Sequence, residues 1–230
     1  MSSSQKSTET SDVSSKRIGM EWYDLSPERK IQLSLGPGPN AKWGWAIYRT
    51  TFRPDLDRHW DSFKQLVMEN IRADVVASDT PELINQMDFV FVEDNSLENA
   101  DLETLKRRFR AWAIADGTDP TEEQGLTRDT RHAFFIQVDE ESLLSFLSNP
   151  AVPTGSFTEA KLIGTHVNIV RGWEDGPNGG VDESGDLLVP EDWMKMKATM
   201  IAPYFYAELD DATESWYAHY MPPPHGISSW

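Results

Sequence analysis

Five histidines, His59, His132, His166, His219 and His225, are the side chains best suited to proton transfer or metal ligation near neutral pH. No two share the i,i+4 spacing and there is no His-Glu-x-x-His, so zinc has no local signature and no metal is expected. His132 and His166 each stand near the start of an expected strand. If those strands are neighbours, both histidines open onto one end of a sheet. Otherwise they are separate surface or hydrogen-bonded residues. Arg49 is the other chemically distinct residue, the only charge in the run Trp43-Gly44-Trp45-Ala46-Ile47-Tyr48-Arg49-Thr50-Thr51-Phe52. A guanidinium on a sheet face needs an acidic side chain or an anionic ligand if it is buried. Three readings follow: an anion or carboxylate clamp with Tyr48 or His59 nearby, an ion pair to Glu93 or Asp94 on a neighbouring strand, or an edge-exposed side chain.

Other chemistries leave no trace. There is no P-loop, no Gly-x-Ser-x-Gly and no dinucleotide fingerprint, so no cofactor is expected. The absence of cysteine removes thiol nucleophiles, thiolate metal sites and disulfides together. Lys106-Arg107-Arg108-Phe109-Arg110 reads as a basic helix face with i,i+4 pairs to Asp101 and Glu103, or as a protein docking patch. The stretch from Asp175 to Asp186 is rich in oxygen ligands, but Pro177 occupies a ligand position and no Glu closes the loop, so a calcium site does not fit.

The net charge of −17 is opposite to what phosphate binding requires, so nucleic acid and anionic membrane surfaces are not expected partners. No apolar run is long enough to span a bilayer, no apolar leader is visible and no Asn-x-Ser/Thr sequon occurs. A cytoplasmic setting is expected, with the nucleus still open. Nine Trp and ten Phe are enough to fill a core.

The elements that would position these residues can be read from periodicity. Residues 1–18 form a Ser/Thr-rich tail expected to be disordered, and 19–41 a partly ordered arm with a short helix from Pro27 to about Leu33. A single domain is expected over 42–210, followed by an extended tail over 211–230. Strand Trp43 to Phe52 leads into a helix from Asp57 to Val76, where Trp60, Phe63, Val67, Ile71 and Val75 share one face. Strand Asp88 to Glu93 is apolar on both faces, which reads as an interior strand. A helix follows from Asp101 to Ala115, then strand His132 to Val138, helix Glu140 to Leu147 behind Asp139, and strand Ile163 to Arg171. A fifth strand lies within Leu187 to Lys197 and a helix runs from Thr199 to Leu209. The fold class expected is α+β: a ferredoxin-like open sandwich with a mostly antiparallel sheet of four to five strands and helices on one face. A parallel doubly wound sheet competes, but Arg53-Pro54-Asp55 lacks the Gly-rich first turn of that class.

Trp43-Gly44-Trp45-x-Ile47-Tyr48-Arg49-Thr50-Thr51-Phe52, then Trp60 and Phe63, Arg107-Arg108-Phe109-x-x-Trp112, Phe135-x-x-Val138-Asp139, Val167-Asn168-x-Val170 and Trp193-Met194 together resemble a family of uncharacterised proteins of filamentous fungi. The resemblance covers about Lys42 to Leu209. It implies a compartment and a domain extent, and it carries over no activity and no catalytic residue.

The expected function is an acidic binding or interaction module that contacts a protein partner or a second copy. The alternative is a small enzyme or ligand-binding protein. Its pocket would lie between sheet and helices, lined by Trp45, Phe89, Phe91 and Trp112, with Arg49, His59, His132 or His166 as polar groups.

Overall fold

The protein is described from a computed structural model over residues 22–35, 41–117, 129–148, 162–173, 191–211, 213–224 and 226–229. The Ser/Thr-rich tail, the oxygen-rich loop Asp175 to Asp186, and His225 lie outside these residues. In chain order the elements are α1 (Pro27–Leu35), β1 (Ala46–Arg49), α2 (Asp57–Ala77), β2 (Val90–Val92), α3 (Leu102–Asp116) and α4 (Thr130–Ala133). Then come β3 (Phe134–Val138), α5 (Glu140–Ser148), β4 (His166–Arg171), β5 (Trp193–Lys197), α6 (Pro203–Asp211), α7 (Thr213–His219) and β6 (Ile227–Ser228). No described helix is long and apolar enough to cross a membrane.

The local signals act as expected on the two longest helices. In α2 the stripe Trp60, Phe63, Val67, Ile71 and Val75 is buried. Asp101 caps α3 by accepting the Thr104 N–H at 2.8 Å, and Gly117, at φ 120°, receives the helix end. Strand β1 is shorter than its aromatic run. At Gly44, with φ 127°, a Cβ would lie 2.7 Å from the Asp88 carbonyl oxygen. The pairing therefore breaks there and leaves Trp43–Met87 as an isolated bridge.

The six strands among the described residues lie in the order β2-β1-β3-β4-β5-β6. Pairings β2–β1, β1–β3 and β5–β6 are parallel, and β3–β4 and β4–β5 antiparallel. This mixed α/β sheet corrects the ferredoxin-like expectation in strand number, in direction and in the placing of helices. The chain steps from β1 outward to β2, then back across β1 to β3. Connections of one hand that reverse lateral direction must pass over opposite faces. Accordingly α2 packs with Trp45, Ile47, Ile136, Val167 and Met194 on one face, while Leu105 and Phe109 of α3 pack with Ala46, Tyr48, Phe135 and Val170 on the other. The first three strands are thus doubly wound, and the antiparallel character belongs to the second half of the sheet.

Strand β2 is an edge, not an interior strand. Both of its faces are apolar because helices cover both: Phe89 and Phe91 join the α2 side, Val90 and Val92 the α3 side. The stretch 211–230 does not run as an extended surface tail either. Trp216 of α7 is 1% exposed, stacks on Phe134 at 5.6 Å and donates its indole N–H to the Glu191 carbonyl at 3.0 Å. Strand β6 then pairs along β5. Burying one large aromatic is worth roughly 2–3 kcal/mol, enough to draw a polar, Pro-rich segment back onto the sheet.

Candidate functional site

Strands β1 and β2 are neighbours, yet the chain leaves them toward α2 and α3 on opposite faces. Their carboxyl ends therefore diverge, which is where open α/β sheets place ligands. Here the divergence opens a cleft of about 360 Å³ lined by Arg49, Phe52, Asp57, Asp61, Glu93 and Asn95.

Arg49 is the last residue of β1, and strand alternation turns it to the face of α2, with Trp45 and Ile47. It is 5% exposed. Its Nε donates to the Thr51 carbonyl at 2.6 Å and its Nη2 to Asp57 Oδ1 at 2.5 Å. The guanidinium carbon lies 4.8 Å from the Phe52 ring centre and 5.7 Å from that of Trp60. Among the described residues Nη1 has no acceptor. The ionic partner is therefore neither Glu93 nor Asp94. Asp57 opens α2, where an acid suits the helix dipole, and α2 is the element Arg49 faces. Glu93 and Asp61 are both held by Lys64, at 2.5 and 3.1 Å, and Asp94 caps the turn at Asn95–Leu97 by accepting the Ser96 N–H. Burial alone would lower the Lys64 pKa, but the hydrogen bonds it donates to Glu93 and Asp61 hold it above the ordinary lysine value. Around the cleft, two cations thus face three carboxylates.

The remaining expected site residues do not gather here. Tyr48 points to the opposite face, edge-on to Phe135 at 5.3 Å, and burial raises its pKa. Trp45 is fully buried against Tyr206 and Phe89, while Trp112 lies beyond the other face against Phe109. The expected aromatic pocket of Trp45, Phe89, Phe91 and Trp112 is therefore split by the sheet itself. His59, in the first turn of α2, accepts from Arg58 Nε at 3.3 Å. His166 opens β4 and His132 lies in α4, just ahead of the neighbouring strand β3, but β3 and β4 are antiparallel, so their starts lie at opposite ends. His166 Nε2 sits 3.2 Å from Glu141 Oε1 without hydrogen-bond geometry. His132 is clamped by Asp129 at 2.8 Å and Asp116 at 3.1 Å. Burial alone would lower its pKa; the two carboxylates outweigh this and hold it above the ordinary histidine value.

Two clusters escaped a reading of local patterns. Arg131 is 1% exposed: its Nε meets Asp116 at 2.9 Å, Nη2 meets Asp88 Oδ2 at 2.8 Å, and Nη1 donates to the Asp88 carbonyl at 2.5 Å. The expected basic face of α3 is also dispersed, because Lys106 is fully buried beside Asp192 at 2.5 Å and Arg108 reaches Asp94. The second cluster is a polar row across the sheet, Gln137–Asn168–Lys195 in register. Asn168 donates to Asp139 at 2.9 Å, and Lys195 to Glu141 at 2.6 Å. The row was visible in sequence as polar residues interrupting apolar strands, whereas Arg131 stands in α4 outside any strand; in both clusters the partners lie on other segments of the chain. Among the described residues no group of three or more His, Asp or Glu is placed to hold a metal ion. Compared with family models, curated proteins and solved structures, the chain matches none.

Proposed function

We propose that the chain is an acidic binding module whose cleft at the carboxyl ends of β1 and β2 takes a small zwitterion, such as a free α-amino acid. The observation that supports this is Arg49, a buried guanidinium lining a cleft, with Nη1 left without an acceptor among the described residues. A simple anion would meet Asp57, Asp61 and Glu93, and a simple cation would meet Arg49. A ligand with a carboxylate for Nη1 and an ammonium for Asp61 or Glu93 matches both charges. A volume of about 360 Å³ suits a molecule of that size.

Titration calorimetry with a panel of free amino acids, their methyl esters and their N-acetyl derivatives tests the reading. Binding should require both charged groups and should be lost in Arg49→Met. No binding by any amino acid, or unchanged binding in the variant, overturns it. A second reading, a docking module for a basic protein segment, is favoured by the net charge of −17. Saturable, salt-sensitive binding of a lysine-rich peptide, with no response to amino acids, would favour it instead.

A further inference from the structure

Strands β4 and β5 carry a polar block on the other face of the sheet from Arg49. His166 stands opposite Lys197, and Asn168 opposite Lys195. Residues two apart on a strand share a face, so all four side chains lie together. Gln137 extends the block onto β3, in register with Tyr48, which packs on the α3 side.

Two groups in this block lack partners of opposite kinds. Asn168 is 4% exposed, and its Nδ2 donates to Asp139 Oδ2 at 2.9 Å and to Gln137 Oε1 at 3.3 Å. An amide beside a carboxylate must present its nitrogen there, so its orientation is fixed and Oδ1 is the atom left over. That oxygen is buried and accepts no hydrogen bond among the described residues, an arrangement that buried polar atoms rarely keep. Lys197, partly buried, has no hydrogen-bond or ion-pair partner among the described residues. The other charges are offset. Lys195 donates to Glu141 at 2.6 Å, and Asp139 caps the first turn of α5 by accepting the Ser142 N–H and hydroxyl, each at 2.8 Å. His166 Nε2 is buried 3.2 Å from Glu141 without a hydrogen bond.

We infer that this block binds a small 2-hydroxy carboxylate. The carboxylate meets Lys197 Nζ, and the neighbouring hydroxyl donates to Asn168 Oδ1. His166, in the tautomer with its proton on Nε2, offers the carboxylate a second donor. Asn168 and Lys197 are diagonal neighbours on paired strands, about 7–8 Å apart, a span that a lysine side chain and a three-carbon ligand bridge. The charge left over is that of Lys197 alone, which selects a monoanion; a dianion would also meet Glu141 and Asp139. Glu141 at the rim is exposed, so the block is open to solvent on that side. This site is independent of the Arg49 cleft, which the test keeps separate.

The experiment is calorimetry on the full chain at constant ionic strength with lactate. Propionate, which lacks the hydroxyl, and propane-1,2-diol, which lacks the charge, serve as controls. Saturable binding of lactate is expected, with propionate roughly fivefold weaker and the diol not bound. Lys197→Met keeps the alkyl stem, breaks no hydrogen bond or ion pair and should fold; it should weaken lactate roughly tenfold or more, and Lys197→Arg should restore most of the affinity. Arg49→Met should leave lactate binding unchanged, whereas its loss in that variant would move lactate to the cleft and overturn the inference. No saturable binding to the native chain, unchanged affinity in Lys197→Met, or propionate or the diol binding as tightly as lactate also overturns it.

Discussion

Two arginines among the described residues, Arg49 and Arg131, are almost fully buried, and they are buried differently. Arg131, before β3, has every guanidinium nitrogen satisfied: two carboxylates and a carbonyl surround it, and the Trp112 ring lies 5.1 Å away. Arg49, at the end of β1, has a carbonyl and one carboxylate, and that carboxylate belongs to Asp57, whose side chain is 58% exposed. Arg131 ties the segment entering β2, α3 and α4 together and leaves no guanidinium nitrogen for a ligand. Arg49 faces a cleft with a nitrogen to spare. A buried charge is not by itself a sign of function; what distinguishes the two is how many of the donors the fold uses.

The contrast can be broken or sharpened by substitution. Arg131→Met should have the largest effect, a loss of about 3–5 kcal/mol in urea unfolding, because Asp88 and Asp116 lose their common partner. A loss below about 1 kcal/mol would show that the cluster is not structural. Gly44→Ala reaches the same cluster through the backbone. A Cβ at φ 127°, 2.7 Å from the carbonyl that accepts Arg131, should cost about 2–3 kcal/mol in the same measurement. Arg49→Met should cost less, about 1–2 kcal/mol, since Asp57 can turn to water. Its main consequence should be the loss of zwitterion binding. If it destabilises as strongly as Arg131→Met, the distinction between the two arginines fails.

The smallest effect is a pH dependence on the Arg131 side. His132 is held above its ordinary value by Asp129 and Asp116, against the opposing effect of burial. Its contribution to stability is complete below its unfolded pKa of about 6.5 and fades as pH rises through the higher folded value. The unfolding free energy of the native chain from urea titration should therefore fall on going upward from about pH 6.5, by less than about 1 kcal/mol after solvent screening. His132→Gln should flatten that slope. Arg49→Met should keep it.

Much of the secondary structure was legible because it is dictated within a few residues. The Trp60–Val75 stripe demands a helix wherever it lands, and Asp101 and Gly117 bracket α3 through their own side-chain and backbone chemistry. Arg49 stood out for the same reason, as a lone charge on an apolar strand. The misreadings share one cause. An apolar pattern on both faces of β2 reports two covering helices, and it carries no information on whether a second strand lies alongside. Trp216 drew the C-terminal stretch into the fold from within a polar, Pro-rich context that by composition reads as tail.

Local sequence dictates five of the seven α-helices described, the apolar alternation of the strands, a net charge of −17 and the oddness of Arg49 in β1, but not α4 or α7. What only the tertiary structure decided is the order and direction of the strands, and with them the site. Whether β2 returns beside β1, and whether α3 then crosses back over the opposite face, depends on packing between residues tens of positions apart. No local spacing encodes it. That reversal opens the cleft before Arg49 and puts Trp45 and Trp112 on opposite sides of the sheet, and the antiparallel pairing of β4 with β3 sends His132 and His166 to opposite sheet ends.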